Sequence, residues 1–254
     1  MKPLENKRIL ITRPRAQAAD VYDKLAALGA VPIVFPTIEI APLADTTRLD
    51  DAIRQLDQYQ WIVFTSVNGV AAFWERLDIA GASTQLAQHI AAIGPATARA
   101  LEGHGVIVTL IPDEYVAESI VENIGDVRGQ RILLPRADIA RETLAIELQQ
   151  RGARVDEIAA YRTLPAAPDP IGLAELRRGV DVITFTSSST VRNFVALVGR
   201  DAYSPSTLIA CIGPITASTA RELGLRVDIM ASEYTLDGLI AALIAHFNKE
   251  VINA

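Results

Sequence analysis

The chain carries the same pieces twice, and this duplication restricts its fold more than any other feature. Val63-Phe64-Thr65-Ser66-Val67-Asn68-Gly69-Val70 returns as Thr184-Phe185-Thr186-Ser187-Ser188-Ser189-Thr190-Val191, with Phe64 and Phe185 lying 121 residues apart. Ile90-Ala91-Ala92-Ile93-Gly94-Pro95-Ala96-Thr97-Ala98 returns as Ile209-Ala210-Cys211-Ile212-Gly213-Pro214-Ile215-Thr216-Ala217, and Glu114-Tyr115 returns as Glu233-Tyr234, both 119 residues on. Arg8-Ile9-Leu10-Ile11-Thr12-Arg13-Pro14 reappears as Arg131-Ile132-Leu133-Leu134-Pro135-Arg136. Two copies of each piece in 254 residues predict two similar lobes, and paired lobes commonly hold a ligand between them.

Short apolar runs alternate with helical patterns along the chain. Arg8 to Thr12, Ile62 to Thr65, Ile90 to Ile93, Val106 to Leu110, Arg131 to Leu134, Val182 to Thr186, Ile209 to Ile212 and Leu225 to Ile229 read as strands. Runs apolar on consecutive residues and separated by helices indicate parallel sheet covered on both faces, hence an α/β fold. Gly29 and Gly152 sit where a left-handed residue would stop a helix. Ser66 and Ser187 to Ser189 stand where a strand passes into a helix, as do Gly94-Pro95 and Gly213-Pro214, since proline suits a first helical turn. At all four places free backbone N–H groups should point outward from the carboxyl ends of strands.

Val31 to Pro42 carries three prolines, and its counterpart Ile158 to Pro165 runs into the proline-rich stretch Ala166 to Pro170. Proline belongs at edges and turns, so both segments read as exposed extended connectors and candidate hinges. If the chain crosses at both, residues 42–160 form one lobe and residues 1–35 with 166–254 the other, leaving 36–41 and 161–165 as connectors. A sequential split near residue 126 satisfies the repeat equally well.

Composition removes several classes of function. Half the residues are apolar and no apolar run is long enough to span a bilayer, while the N-terminal stretch lacks the pattern of an export signal; the expectation is a cytoplasmic protein that does not enter a membrane. A net charge of −6 speaks against a nucleic-acid coat, although Arg13, Arg15, Arg136 and Arg141 cluster near strand ends and allow a local anion site. The single cysteine, Cys211, excludes an internal disulfide and lies in an apolar strand, where it reads as a structural thiol. His89, His104 and His246 stand far apart without other ligands at metal-binding spacing, so no metal site is expected.

In order along nearly the whole chain, Ile11-Thr12-Arg13-Pro14, Phe64-Thr65-Ser66 with Asn68-Gly69-Val70, Ile93-Gly94-Pro95-Ala96-Thr97-Ala98, Ala160-Tyr161-Arg162-Thr163, Phe185-Thr186-Ser187, Ile212-Gly213-Pro214-Ile215-Thr216-Ala217 and Tyr234-Thr235-Leu236-Asp237-Gly238-Leu239 are similar to marks of the uroporphyrinogen-III synthase family. The resemblance implies two similar parallel-sheet, flavodoxin-like lobes joined by a two-stranded β connector, in a monomeric enzyme without cofactor. Its substrate would be hydroxymethylbilane, a linear tetrapyrrole with eight carboxylates, closed to uroporphyrinogen III with loss of water and inversion of the D ring through a spirocyclic intermediate. A transient contact with the bilane-forming enzyme is left open. Because the bilane ionises its own hydroxymethyl group, the enzyme's task would be to hold one conformer, and no catalytic triad is required.

By match to the family pattern, Thr65, Ser66, Thr97, Ser187 and Thr216 are expected to bind substrate beside helix-start amides that favour carboxylates. Tyr161, on the connector, is the expected catalytic residue, its phenol directed at the leaving hydroxyl. Arg13 and Arg136, equivalent in the repeat, could pair with substrate carboxylates. Each of these also has a plain structural reading: helix caps for the hydroxyls, hinge packing for Tyr161, solvated surface for the arginines. The alternative from another class is a two-lobed cytoplasmic binding or sensor protein that closes on an anionic ligand without chemistry. Neither G-x-G-x-x-G nor G-x-x-x-x-G-K-[ST] occurs, which counts against a nucleotide enzyme.

Overall fold

The computed structural model describes residues 2–83, 86–199 and 202–252, with the side chains of 249–252 left aside. In chain order the elements are β1 (Arg8–Ile11), α1 (Ala19–Ala27), β2 (Val31–Val34), β3 (Ile38–Pro42), α2 (Thr47–Arg54), β4 (Trp61–Phe64), α3 (Val67–Ile79), β5 (His89–Ala92), α4 (Pro95–Glu102) and α5 (Ala117–Asn123). They continue with β6 (Arg131–Ala137), α6 (Thr143–Gln150), β7 (Arg154–Pro165), α7 (Pro170–Arg177), β8 (Val182–Phe185), α8 (Ser188–Val198), β9 (Leu208–Cys211), α9 (Pro214–Glu222), β10 (Ile229–Met230) and α10 (Leu236–Ile252). The chain divides into two units, one of Met1–Glu39 with Leu164–Ala254 and one of Ile40–Thr163. It passes between them inside β3 and inside β7.

The first unit holds a five-stranded sheet in the order β10-β9-β8-β1-β2, with parallel pairing throughout. Numbered along this unit alone, that is the 2-1-3-4-5 order of a doubly wound sheet, whose strand order reverses between β1 and β8. One face packs Ile9, Ile11, Val182 and Ala210 against Leu25, Leu239 and Leu243; the other packs Leu10, Ile183, Phe185 and Ile209 against Val191, Phe194 and Ala217. Burial on both faces is what a continuous apolar run provides. Thr12 Oγ1 donates to the Thr184 carbonyl at 2.7 Å and Thr184 Oγ1 donates to the Leu10 carbonyl at 2.8 Å, tying β1 to β8 at the reversal.

The second unit has the order β3-β7-β6-β4-β5, extended beyond β5 by an isolated parallel bridge from Ala91 to Leu110. Matched to the first unit, β6 stands for β1, β7 for β2, β4 for β8 and β5 for β9. The strands lie in the same spatial order but are entered at a different point of the chain. Its reversal falls between β6 and β4, which pair in parallel. Ile62 and Phe64 face one apolar cluster, Trp61 and Val63 the other.

Three expectations need correction. Val31–Val34 is not an exposed connector but a sheet strand paired in parallel to β1; Pro32 is tolerated because β2 is the edge. Val106 to Leu110 forms no strand beyond the single bridge, and Leu225 to Ile229 forms one only at Ile229–Met230. In both copies a side chain takes the N–H that a longer strand would satisfy: Thr109 Oγ1 accepts from Ile90 N at 3.1 Å, and Asp228 Oδ2 accepts from Ile209 N at 2.9 Å. The helix stops follow expectation, Gly29 and Gly152 having φ of 90° and 89°.

Candidate active site

In sheets of this order ligands bind outside the carboxyl ends of the strands, where the strand order reverses. The residues singled out in the sequence stand at such ends or on the helices that follow, divided between the units: Thr65, Ser66, Thr97, Arg136 and Tyr161 in the second, Arg13, Ser187 and Thr216 in the first.

Thr65 and Ser66 follow β4. Ser66 caps α3 from an extended backbone (φ −164°, ψ 153°), its Oγ accepting from Gly69 N at 3.0 Å. The same Oγ lies 3.0 Å from the Tyr161 hydroxyl, so cap and phenol form one hydrogen-bonded group. Tyr161 belongs to β7, not to an exposed connector, and is only 7% exposed. Its placement depends on a register shift at Arg136/Ala137: Arg136 pairs with Ala159 but Ala137 pairs with Tyr161, leaving Ala160 as the extra residue. A bulge breaks the two-residue alternation, and here it lets Ala160 and Tyr161 enter the same core cluster as Ile158. Burial pushes the Tyr161 phenol above its ordinary pKa, opposed by hydrogen bonds to Ser66 and Asn68 and by the charge of Arg136. The phenol, neutral near pH 7 already at its ordinary pKa, is thus kept protonated and able to donate a hydrogen bond.

Arg136 is the penultimate residue of β6 and is itself buried. Its Nη1 donates to Glu157 Oε1 at 2.6 Å and to the Arg141 carbonyl at 2.9 Å, while its Nε has no partner. Arg13, which follows β1, donates from Nη2 to Gln17 Oε1 at 3.0 Å, and its Nε is likewise buried without a partner. Burial lowers the pKa of Arg13, partly offset by the charge of Asp20.

Ser187 caps α8 in a capping box: its Oγ accepts from Thr190 N at 3.2 Å, and Thr190 Oγ1 accepts from Ser187 N at 3.3 Å. Ser188 Oγ is 2.8 Å from Thr219 Oγ1, which ties the start of α8 to the middle of α9. Thr97 and Thr216 occupy matching third positions of α4 and α9. Both are buried, and neither hydroxyl forms a hydrogen bond among the described residues. Gly94 and Gly213 cap these helices without any side-chain acceptor, which leaves first-turn amides available to an anion.

Sequence reasoning gave no role to Tyr115 and Tyr234, although the repeat marked them. A Cβ on Gly94 would come within 3.0 Å of the Tyr115 ring, and one on Gly213 within 3.1 Å of the Tyr234 ring. Each tyrosine therefore packs back on the glycine that begins α4 or α9, where an added Cβ would crowd the ring. Asn68, which bonds Tyr161, was read as part of a motif and not as a partner of the phenol. Cys211 is buried with its thiol pushed up to about 12 by burial, which makes it unreactive. Among the described residues no three His, Cys, Asp or Glu side chains converge as metal ligands, and no helix is long and apolar enough to cross a membrane.

The chain is thus a twofold α/β protein with hydroxyl-capped helix starts after β4 and β8, helix starts without side-chain acceptors after β5 and β9, and a neutral buried phenol bonded to one of the caps. The family described as uroporphyrinogen-III synthase HemD matches residues 20–241. The chain is 39% identical over 253 residues to the uroporphyrinogen-III synthase of Synechococcus elongatus, covering 95% of this chain and 96% of that protein. It is 31% identical over 233 residues to that of Chlorobaculum parvum, covering 88% and 92%. Among solved structures, a mutant uroporphyrinogen III synthase from Thermus thermophilus shares the fold at a TM-score of 0.66 with 22% identity, covering 96% of this chain and 99% of that one. The Helicobacter pylori uroporphyrinogen-III synthetase does so at 0.62 with 15% identity, covering 95% and 99%. The chain belongs to the uroporphyrinogen-III synthase family.

Proposed function

We propose that this protein is a lyase of tetrapyrrole biosynthesis that converts hydroxymethylbilane to uroporphyrinogen III. The substrate supplies its own electrophile: pyrrole nitrogen assists departure of the hydroxymethyl oxygen, which leaves with a proton as water. Ring closure through the spirocyclic intermediate then inverts the D ring. What the protein must add is selection of the conformer in which the substituted carbon is attacked, since unaided closure gives the symmetrical isomer.

The observation that carries this reading is the pairing of Ser66 Oγ with the neutral Tyr161 phenol at 3.0 Å, in a unit whose α4 also begins without a side-chain acceptor for its amides. Tyr161 donates to the departing oxygen, and Ser66, fixed by its bond to Gly69 N, holds the phenol in place. In this reading Thr65 and Thr97, with the amides that begin α4, are the substrate-binding groups of the second unit, and Ser187 and Thr216, with the amides that begin α9, those of the first. A polycarboxylate suits such donors because helix N-termini carry partial positive charge.

The test is incubation of the purified protein with freshly prepared hydroxymethylbilane and separation of the isomers. Type III product is expected, undiminished by chelator. Type I product alone, at the uncatalysed rate, would leave the alternative of an anion-binding protein without catalysis.

A further inference from the structure

Arg13 and Arg136 are twins of the duplication, yet their surroundings have diverged. Arg8 corresponds to Arg131 and Gly29 to Gly152, each 123 residues on, so that Arg13 corresponds to Arg136 and Val34 to Glu157. Strand registers agree with this match: Ile11 pairs with Val34 between β1 and β2 as Leu134 pairs with Glu157 between β6 and β7. In the second unit the arginine charge is met inside the protein, Glu157 standing 2.6 Å from Arg136. The first unit has a valine at that place.

No carboxylate lies within ion-pair distance of Arg13 among the described residues. Asp20, whose charge acts on Arg13 through space, is paired to Lys24 at 3.2 Å. Among the described residues the one acceptor bonded to the Arg13 guanidinium is a neutral amide oxygen of Gln17, and the Arg13 Nε–H is buried without any acceptor. A partly desolvated guanidinium with unused donors costs stability until an anion meets it. Arg13 also lies two residues beyond β1, past its carboxyl end beside the strand reversal. Its planar fork suits a carboxylate in two parallel hydrogen bonds.

We infer that Arg13 is the carboxylate receptor of the first unit, taking one acetate or propionate group of the tetrapyrrole, and that Glu157 has withdrawn Arg136 from the equivalent role. This rests on the function proposed above. Charge balance follows: the unit that lacks an internal carboxylate at this position receives one from its ligand.

The experiment uses the full-length protein, uroporphyrin III as a fluorescent polycarboxylate probe, and steady-state kinetics with hydroxymethylbilane. Arg13→Gln should raise both the Kd for uroporphyrin III and the KM about tenfold or more, the loss typical of a charge-assisted hydrogen bond, with Arg13→Lys recovering part of it. Val34→Glu, which copies the second unit's arrangement, should weaken binding comparably while Arg13 is still present. The paired Arg136→Gln/Glu157→Gln protein, which removes both charges together, should bind within about threefold of wild type. If Arg13→Gln fails to fold, Val34→Glu decides. An active wild type whose Arg13→Gln and Val34→Glu forms both bind normally overturns the assignment alone, and so does a paired variant that loses binding as severely as Arg13→Gln. A wild type that neither converts hydroxymethylbilane nor binds the probe overturns the functional reading and this assignment with it.

Discussion

The proposed function assigns its one chemical role to Tyr161, whose phenol, neutral near pH 7 in any setting, is held further from ionisation by burial. A group that only donates a hydrogen bond while the substrate ionises itself is helpful without being indispensable. Tyr161→Phe should therefore slow turnover about two- to tenfold, the worth of one neutral hydrogen bond of about 0.5–1.5 kcal/mol, and raise the type I fraction as uncatalysed closure competes. Complete loss of turnover with fold and affinity intact would instead make the phenol an obligatory acid. The same burial has a pH consequence. Tyr59 and Tyr161 both have raised pKa values, caused first by burial. A raised folded-state value gives a contribution that is full below the unfolded phenol's pKa of about 10 and lost as pH rises through the folded one. Urea unfolding should show stability falling from about pH 9 as the unfolded state ionises at Cys211, and more steeply above about 10 where the phenols join in, a steepening that Tyr161→Phe reduces; identical slopes above about 10 would show that the buried phenol is not responsible. Little of this environment was legible in the sequence. The resemblance pointed to Tyr161 and the repeat pointed to Arg13 and Arg136, but the bulge that buries Tyr161 leaves no local signature. The difference between the arginines depends on a partner 21 residues away on another strand, Glu157.

At the scale of elements, the strand-to-helix passages were the most legible part of the fold, because capping chemistry is local. Ser66 and Ser187 cap as their positions suggest, but their settings differ. Ser187 is backed by Ser189 Oγ at 2.9 Å and by the reciprocal bond from Thr190, whereas Ser66 alone receives the Gly69 amide and also holds Tyr161. Ser66→Ala should consequently cost more stability than Ser187→Ala, within the range of about 0.5–2 kcal/mol for a lost cap, and only Ser66→Ala should also shift product toward type I. Denaturant melts of the two variants with isomer analysis provide the check; equal stability losses would mean that the hydroxyls around Ser187 give it no support. The outer strands were less legible. Val106 to Leu110 has a strand's composition, yet the Thr109 side chain competes for the Ile90 amide and leaves a single bridge. Conversely, the prolines of Val31 to Pro42 suggested a segment outside any sheet, when an edge strand can hold Pro32 without losing a ladder bond it needs.

For the whole molecule, duplication without change of strand order produced two units that the chain traverses differently. The second is one continuous stretch, while the first is assembled from two segments separated by more than a hundred residues. The repeat in the sequence was consistent with this interleaving and with a sequential split alike, since repeated pieces show what is copied and not how the copies are threaded. Packing gives the physical basis for a choice: the clusters around Phe64 and around Val63 draw their buried residues from Leu49 to Tyr161, and those around Ile9 and Leu10 draw theirs from Leu4 to Phe35 and from Leu176 to Phe247. A segment that contains its own core clusters and nearly its whole sheet satisfies its backbone hydrogen bonds and apolar surface by itself. A fragment of residues 38–165, which keeps β3 and β7 entire, is thus expected to fold alone, giving dispersed amide resonances and a cooperative unfolding transition. A fragment of residues 1–126, the product of a sequential split, would contain β4 and β5 without β6 and β7, and β1 and β2 without β8 and β9, so that it should stay unfolded or aggregate. A folded, cooperative 1–126 fragment beside a disordered 38–165 fragment would refute the interleaved assignment, because each core would then have to be completed by residues other than those that line it here.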